Sequence, residues 1–175
     1  MSEIYLVFVV FLVVLAVFDL MVGVSNDAVN FLNSAIGAKV AKFRTIIIVA
    51  AVGVFMGATM SNGMMEVARN GVFHPAMFSL KELMFIFLAV MISDVILLDI
   101  FNNLGLPTST TVSLVFELLG GTTAFVLLKL ANDTTGLTIG DLMNTEKALG
   151  MIMAIFVSVA IAFFFGIVLQ YISRL

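Results

Sequence analysis

The sequence predicts an all-α fold, a polytopic transmembrane helical bundle with about five spans and with broken or re-entrant helices at two polar motifs. Hydrophobic residues make up 62% of the 175-residue chain and charged residues only 11%, whereas ordinary soluble domains hold about 45–50% and about 25%. The mean hydropathy is +1.23. Apolar runs alternate with polar stretches, and a run needs roughly 20 residues to cross a bilayer. We therefore expect a single transmembrane domain over residues 1–175.

Five apolar runs give the expected spans, and the charges beside them indicate the orientation. The runs cover residues 4–22, 45–60, 82–100, 112–130 and 148–172. The first run is interpreted as a retained helix and not as a signal peptide, because it follows Glu3 instead of a basic segment and is long for an h-region. Lys39, Lys42 and Arg44 favour a cytoplasmic position for the first loop. We expect an integral, multi-pass protein of the cell inner membrane.

Residue counts exclude several kinds of site. The chain has no cysteine and one histidine, which excludes disulfides, thiolate metal sites, cysteine nucleophiles and histidine-rich metal sites. The histidine, His74, is expected in a loop. No cluster of basic residues indicates nucleic-acid binding, so no nucleic-acid partner is expected. No cofactor is expected either.

The first polar motif interrupts an apolar stretch at residues 23–27. Non-helical backbone at membrane depth is tolerated where it lines a wet cavity, and secondary transporters bind their substrates at such breaks. If a helix restarts near Asp27, Asn26 and Asn30 lie on one face. Their amides both donate and accept hydrogen bonds, so this face can hold an oxyanion beside a small cation. The alternative is an N-cap, which explains one such residue but not several.

The second polar motif lies within residues 101–111. Pro107 is expected at the first helical position of the next helix, where its fixed φ suits helix entry. The hydroxyls of Ser109, Thr110 and Thr111 would then join the N–H groups of that helix N-terminus in binding an anion. Capping and hydrogen bonding of the hydroxyls to helix carbonyls are the alternative, and both interpretations stay open.

Four acids fall within or next to the expected spans. Ionisable groups inside a membrane are costly and mark functional sites. Asp19 and Asp99 are expected near helix ends, where they reach water. Asp94 and Glu117 are expected deep in the bundle, each as a cation site, as a proton site or paired with an unidentified group.

The two polar motifs resemble the paired signatures of the inorganic phosphate transporter (PiT) family. Its first signature, similar to Gly-Ala-Asn-Asp-Val-Ala-Asn, is matched by residues 25–30 (Ser-Asn-Asp-Ala-Val-Asn), which run on to Gly37. Its second, similar to Gly-Leu-Pro-Val-Ser-Thr-Thr-His, is matched by residues 105–112 (Gly-Leu-Pro-Thr-Ser-Thr-Thr-Val), which run on to Gly120. Two signatures in the same order are more specific than either alone.

The chain also departs from the family pattern. Val112 replaces the family's histidine, Val24 and Ser25 replace Gly-Ala, Phe116 takes a position that is usually small, and Glu117 adds an acid beside it. Family members carry both signatures twice, in two inverted halves, whereas this chain has one copy of each. It resembles the N-terminal half, one inverted repeat of such a transporter. We therefore expect a fragment, or else a homo-oligomer or pairing with a second transporter half.

The resemblance implies symport of inorganic phosphate driven by Na⁺ or H⁺. It assigns the oxyanion to Asn26, Asn30, Ser109, Thr110 and Thr111. We expect the cation at Asp27, Ser25 and Glu117, with co-transported Na⁺ at Asp27. Neither motif contains Lys or Arg, so a bound anion needs compensating charge. A cation bound beside it lowers the free energy of both, which accounts for coupling.

Other functions are weighed against this hypothesis. A transporter of sulfate or of another tetrahedral oxyanion would use the same chemistry. A structural membrane subunit or a channel would not depend on a cation gradient. An intramembrane aspartyl protease would need paired aspartates, but no Gly-x-Gly-Asp motif occurs and the amides around Asp27 suit binding better than acid–base work. We therefore expect that the protein is not an enzyme.

Overall fold

A computed structural model describes residues 2–61, 71–132 and 136–174. Within these ranges the chain forms six α-helices, one 3₁₀ turn over Pro75–Met77 and no strand, apart from an isolated bridge between Phe73 and Met143. The helices are α1 (Ser2–Gly37), α2 (Phe43–Thr59), α3 (Leu80–Leu104), α4 (Thr110–Ala131), α5 (Ile139–Leu142) and α6 (Thr145–Ile172). The all-α prediction is confirmed.

Four of these helices are long and apolar enough to cross a membrane, namely α1, α3, α4 and α6. Helix α2 covers the second expected span, but with 17 residues it reaches only roughly 26 Å at 1.5 Å per residue. That length is slightly less than the roughly 30 Å hydrocarbon core. The five expected spans are thus four full-length helices and one short apolar helix, and the protein is an integral, multi-pass membrane protein.

Helix α1 runs without a break through the first motif, so the predicted interruption at residues 23–27 is wrong. A single glycine costs a helix only about 1 kcal/mol relative to alanine, and Gly23 is the only glycine in this stretch. The Ser25 hydroxyl donates to the Met21 carbonyl at 2.7 Å, which satisfies the hydroxyl within the helix. The 36 residues of α1 extend over roughly 54 Å.

The chain does leave the helical conformation at the second motif, as predicted. Helix α3 begins at a Ser79–Glu82 capping box and continues to Leu104, beyond the expected end at residue 100. It ends at Gly105, whose φ of 66° lies in the left-handed region that glycine adopts without strain. Helix α4 then begins at Thr110 with Ser109 as its N-cap.

The expected position of Pro107 is wrong, because it lies in the extended connection before the N-cap and not at the first helical position. A hydrogen bond explains the later helix start. The Thr108 N–H donates to the Asn26 side chain at 2.8 Å, which holds the connection against α1. The segment 106–109 therefore follows the surface of α1 before α4 begins.

Helices α1, α3 and α4 form the part of the bundle that positions the polar motifs. Helix α1 packs most extensively on α3, and α3 packs on α4. The α3–α4 contact is close at Gly121, where an added Cβ would meet a Val90 methyl at 3.2 Å. The apolar core lies between these two helices, α5 and the segment before α3, and contains Val72, Phe73, Phe78, Ile86, Val90, Leu118, Val126, Leu142 and Met143.

Candidate functional site

Helical periodicity places the polar residues of three helices on facing sides. Residues three or four positions apart share one face of a helix. The shared faces are Asp19, Gly23, Asn26, Asp27 and Asn30 on α1; Asp94, Leu98 and Asn102 on α3; and Thr110, Leu114 and Glu117 on α4. At the α1 contact an added Cβ on Gly23 would touch both Leu98 and Thr110 at 3.6 Å. The three faces therefore meet in one place.

Asn26 connects α1 to the helix break. Its Nδ2 donates to Asn102 Oδ1 at 2.8 Å and to the Leu106 carbonyl at 3.2 Å, and its Oδ1 accepts from the Thr108 N–H at 2.8 Å. Asn102 in turn donates to the Val22 carbonyl at 3.1 Å. The Asn26 side chain is 2% exposed, so its amide uses both donor hydrogens inside the protein.

Two further hydrogen bonds join the motifs. Asn30 Nδ2 donates to the Thr108 carbonyl at 3.0 Å and is exposed. Thr110 Oγ1 donates to Asp27 Oδ2 at 2.8 Å. The second bond connects a residue predicted to bind the cation with one predicted to bind the oxyanion. The structure thus brings together residues about eighty positions apart in the chain.

Serine residues of both motifs have local partners. Ser109 Oγ accepts from the Val112 N–H at 3.4 Å as the N-cap of α4, and Ser25 bonds within α1. The capping interpretation therefore describes Ser109 in this structure. The proposed ligand roles of Ser25 and Ser109 stay predictions.

An open cleft of about 230 Å³ lies where α1, α3 and α4 meet. It is lined by Asp19, Leu20, Gly23, Val24, Asp27, Asp94, Leu98, Thr110, Thr111 and Leu114. Three of the predicted site residues, Asp27, Thr110 and Thr111, share this lining, whereas Asn26, Asn30, Ser25, Ser109 and Glu117 do not. No Lys, Arg or His residue is part of the lining. The cleft has room for a small ion, and its charged groups are all acids.

Asp19 and Asp94, which line this cleft, form a cluster with Glu117 that we call the acid cluster. Asp94 interacts electrostatically with both other acids, and Asp19 interacts with Glu117. The Asp94 side chain is 5% exposed. One oxygen of Asp94, one of Asp19 and both of Glu117 are buried without a hydrogen-bond partner. Over the described ranges, no three His, Cys, Asp or Glu side chains are arranged to hold a metal ion.

The expectations for the four acids have different outcomes. Asp99 is exposed, accepts from Asn103 Nδ2 at 3.1 Å and lies near the end of α3 at Leu104, so its expected position near a helix end is confirmed. The expected position near a helix end is wrong for Asp19, because α1 continues past it to Gly37. Asp19 lies opposite Asp94 and lines the open cleft. Glu117 lies beside Asp94 rather than beside Asp27, the residue with which it was grouped as a cation ligand.

Sequence reasoning did not assign a role to Asn102 and did not connect Asp19 with Asp94. A signal for both was present in the spacing. Asp94, Leu98 and Asn102 follow one another at intervals of four, as Asp19, Gly23 and Asp27 do. Two polar faces with matching intervals indicate that the helices pack along them, provided that α1 is continuous.

Comparison with known proteins identifies the family of this chain. No curated protein and no solved structure gives a match. A family model described as the phosphate transporter family matches residues 23–175. The matched region begins at Gly23 and includes both polar motifs, the helix break and the acids of α3 and α4. The chain belongs to the phosphate transporter family.

Proposed function

We propose that this protein acts in cation-coupled symport of inorganic phosphate and that the oxyanion binds in the cleft between α1 and the start of α4. The observation that carries the proposal is the Thr110–Asp27 hydrogen bond of 2.8 Å. It joins a hydroxyl group and a carboxylate on the cleft wall, the two chemical groups that would serve the anion and the cation. Membership of the family supports phosphate as the substrate.

The anion would bind at the N-terminus of α4. The first N–H groups of a helix lack intrahelical partners and carry the positive end of the helix dipole. The Thr110 and Thr111 hydroxyls stand in this first turn and line the cleft. The Thr111 hydroxyl and the helix N–H groups are neutral donors, and the Thr110 hydroxyl can join them once its hydrogen leaves Asp27. Such donors hold an anion without a fixed positive charge, so the site stays weakly occupied until a cation arrives.

The cation would compensate both the anion and Asp27. An anion beside an ionised carboxylate at low dielectric is strongly disfavoured. A cation bound at Asp27 removes that repulsion, and the anion in turn stabilises the cation. Each ion therefore raises the affinity for the other, which is the thermodynamic basis of symport.

Asn26 and Asn30 would have different tasks in this scheme. Asn26 uses its amide hydrogens to hold the helix break, so it positions α4 relative to Asp27. Asn30 uses one amide hydrogen on Thr108 and is exposed. Its second amide hydrogen has no partner among the described residues, so Asn30 can still donate to an oxyanion.

The functional unit would include a second repeat, either another copy of this chain or a second transporter half. Helix α6 supports this proposal, because no residue of its most apolar window is buried within the described parts of the chain. The corresponding window of α1 is only 6% buried. Lipid or a second repeat must cover these surfaces, since water cannot do so at low free energy.

The test is uptake of radiolabelled phosphate into proteoliposomes under a Na⁺ gradient, under a proton gradient and without a gradient. We expect gradient-driven uptake that Asp27→Asn abolishes and that Asp99→Asn, a change at an exposed acid of α3, leaves intact. Excess sulfate that competes fully would favour another tetrahedral oxyanion as the substrate. Phosphate binding in detergent without uptake would show that the chain needs its second repeat, whereas neither binding nor uptake would contradict the proposal.

A further inference from the structure

We propose that Asp19, Asp94 and Glu117 form a shared proton-binding site that opens into the cleft, and that the proton held there moves with the oxyanion. The second part of this inference rests on the proposed function. The first part, a titratable site separate from both polar motifs, does not. None of the three acids belongs to the residues that match the two signatures. Glu117 lies five residues after the end of the second match, at residue 112.

The burial of Asp94 is the first step of the argument. Its side chain is 5% exposed, yet one of its carboxyl oxygens has no hydrogen-bond partner. Asp94 also contributes to the cleft wall. A buried polar atom without a partner is costly in free energy, and a carboxylate costs far more than a neutral group. The unpaired oxygen therefore needs a proton or another cation, and the side chains that interact with Asp94 are the acids Asp19 and Glu117.

The neighbours of Asp94 make ionisation still harder. From α1 it faces Asp19, with Asp27 further along the same cleft, and from α4 it faces Glu117. No Lys, Arg or His side chain lines the cleft. Among the described residues, a salt bridge forms between Lys129 and Glu82. None of the three acids takes part in it. Carboxyl groups that share a buried site cannot all ionise.

Protons neutralise such a cluster better than a metal ion does in this arrangement. The three acids are not placed as a set of metal ligands. A proton needs only one carboxyl oxygen and a second acceptor nearby, and the cluster supplies four unpaired buried oxygens. A proton shared between two carboxyl groups also satisfies two of these oxygens in one hydrogen bond.

The position of the cluster connects the proton to the transported anion. Asp19 and Asp27 lie on one face of α1, two helical turns or roughly 12 Å apart, and both line the cleft. In transport the proton would leave the solvent on one side, bind a carboxyl oxygen of the cluster and return to solvent on the other side. A neutral cluster lowers the electrostatic free energy of an anion in the cleft. The cluster would thus bind a coupling proton in addition to the cation at Asp27.

Infrared spectroscopy of the purified chain in lipid nanodiscs tests the first part directly. The carbonyl stretch of a protonated carboxyl group is separate from the bands of a carboxylate. We expect the unaltered protein to show a protonated carboxyl band at neutral pH that disappears as the pH rises. Asp94→Asn should remove or shift that band. Asp99→Asn, at an exposed acid of the same helix, should not change it.

Three results would overturn the proton site. They are a neutral-pH spectrum that contains carboxylate bands alone, a protonated band that is the same in Asp94→Asn and Glu117→Gln, and carboxylate bands that shift on addition of Na⁺ in the unaltered protein but not in Asp94→Asn. Circular dichroism checks that each variant folds. Should Asp94→Asn fail to fold, Glu117→Gln and Asp19→Asn provide the same comparison.

Transport assays test the second part. In proteoliposomes, Asp94→Asn should lose uptake driven by a proton gradient, by tenfold or more, while phosphate–phosphate exchange at equal pH continues. Equal proton-driven uptake in Asp94→Asn and in the unaltered protein would overturn the coupling role. A protonated band that responds to Asp94→Asn, in a protein that neither binds nor moves phosphate, would uphold the proton site and contradict the proposed function instead.

Discussion

The amide cluster around Asn26 and the acid cluster around Asp94 both lie between α1 and α3, and Glu117 of α4 completes the second cluster. The two clusters differ in how their polar atoms are satisfied. Asn26 and Asn102 bond to each other and to three backbone groups of the protein. The acids have four buried oxygens with no hydrogen-bond partner. The first cluster is complete without a ligand, and the second is not.

This difference gives the two clusters different roles: the amide cluster stabilises the packing of the helices, and the acid cluster is able to bind a proton. A fully satisfied polar network fixes a unique packing of helices, whereas a partly satisfied one is unstable by itself. The amides therefore define the register of α1 against the helix break. The acids, about two turns before Asn26 on α1, leave buried oxygens that a bound proton would satisfy.

The largest expected effect comes from breaking the amide cluster. Asn26→Ala leaves the Asn102 side chain, the Leu106 carbonyl and the Thr108 N–H without this partner. At about 1 kcal/mol or more for each of these three groups left unsatisfied, we expect a loss of about 3 kcal/mol or more in the free energy of unfolding. Thermal unfolding in detergent, followed by circular dichroism, measures it. Asn33→Ala, at an exposed asparagine of the same helix, is the control, and an equal loss in both would contradict the assigned role.

A second prediction concerns the acid cluster and pH. If the folded protein holds a proton that the unfolded chain releases, its stability falls as the pH rises, with a slope of up to about 1.4 kcal/mol per pH unit for one proton. Asp94→Asn should flatten this slope above neutral pH. Asp99→Asn should keep it. Denaturation midpoints measured from neutral to alkaline pH give the slope for each protein. Equal slopes in the unaltered protein, Asp94→Asn and Asp99→Asn would contradict a shared proton.

Thr110→Val tests the contact between the two motifs. The change removes the 2.8 Å hydrogen bond to Asp27 but keeps the shape of the side chain. We expect a loss of about 1–2 kcal/mol in stability and weaker phosphate binding. Thr111→Val, at a residue that lines the same cleft without a hydrogen bond to α1, should weaken phosphate binding with little change in stability. Isothermal titration calorimetry measures phosphate affinity, and thermal unfolding measures stability. An equal loss of stability in Thr110→Val and Thr111→Val would contradict the role given to the Thr110–Asp27 hydrogen bond.

The smallest effect is expected where an acid does have a cationic partner. Glu82 pairs with Lys129 at 3.0 Å, and each side chain is about a quarter exposed, 26% and 24% respectively. Exposed ion pairs contribute about 0–1 kcal/mol. Glu82→Gln keeps an oxygen that can accept from the Ser79 N–H in the capping box, so its effect on thermal unfolding should stay below about 1 kcal/mol. A larger loss of stability than that of Thr110→Val would reverse the proposed ranking.

The spans were predictable from the sequence because hydrophobic runs report burial in lipid regardless of tertiary contacts. Both ends of α6 and the start of α4 fall close to the expected positions. The continuity of α1 was not predictable from composition. Asn26 and Asp27 read as an interruption when taken alone, but their partners, Asn102, Thr108 and Thr110, lie far away in the sequence. Those contacts satisfy polar groups that would otherwise favour an exposed break.

The site was predictable in part for the same reason. The residue types of the two motifs identify Asp27, Thr110 and Thr111, which share the cleft. The pairing of Asp19 with Asp94 depends on the rotation of α1 relative to α3, which a single sequence does not determine. The spacing of four on both helices becomes informative only once α1 is known to be unbroken.

The unbroken length of α1 has a mechanical consequence. A helix of 36 residues without proline tilts as a rigid body, so a tilt that displaces Asp27 also displaces Asp19. Bending can occur instead at the segment 105–109, where the left-handed Gly105 separates two helices. A tilt of α1 relative to that segment would change the surroundings of the anion and of the acids at the same time. The Asn26 side chain, which bonds α1 to the segment, lies where the two would rotate against each other.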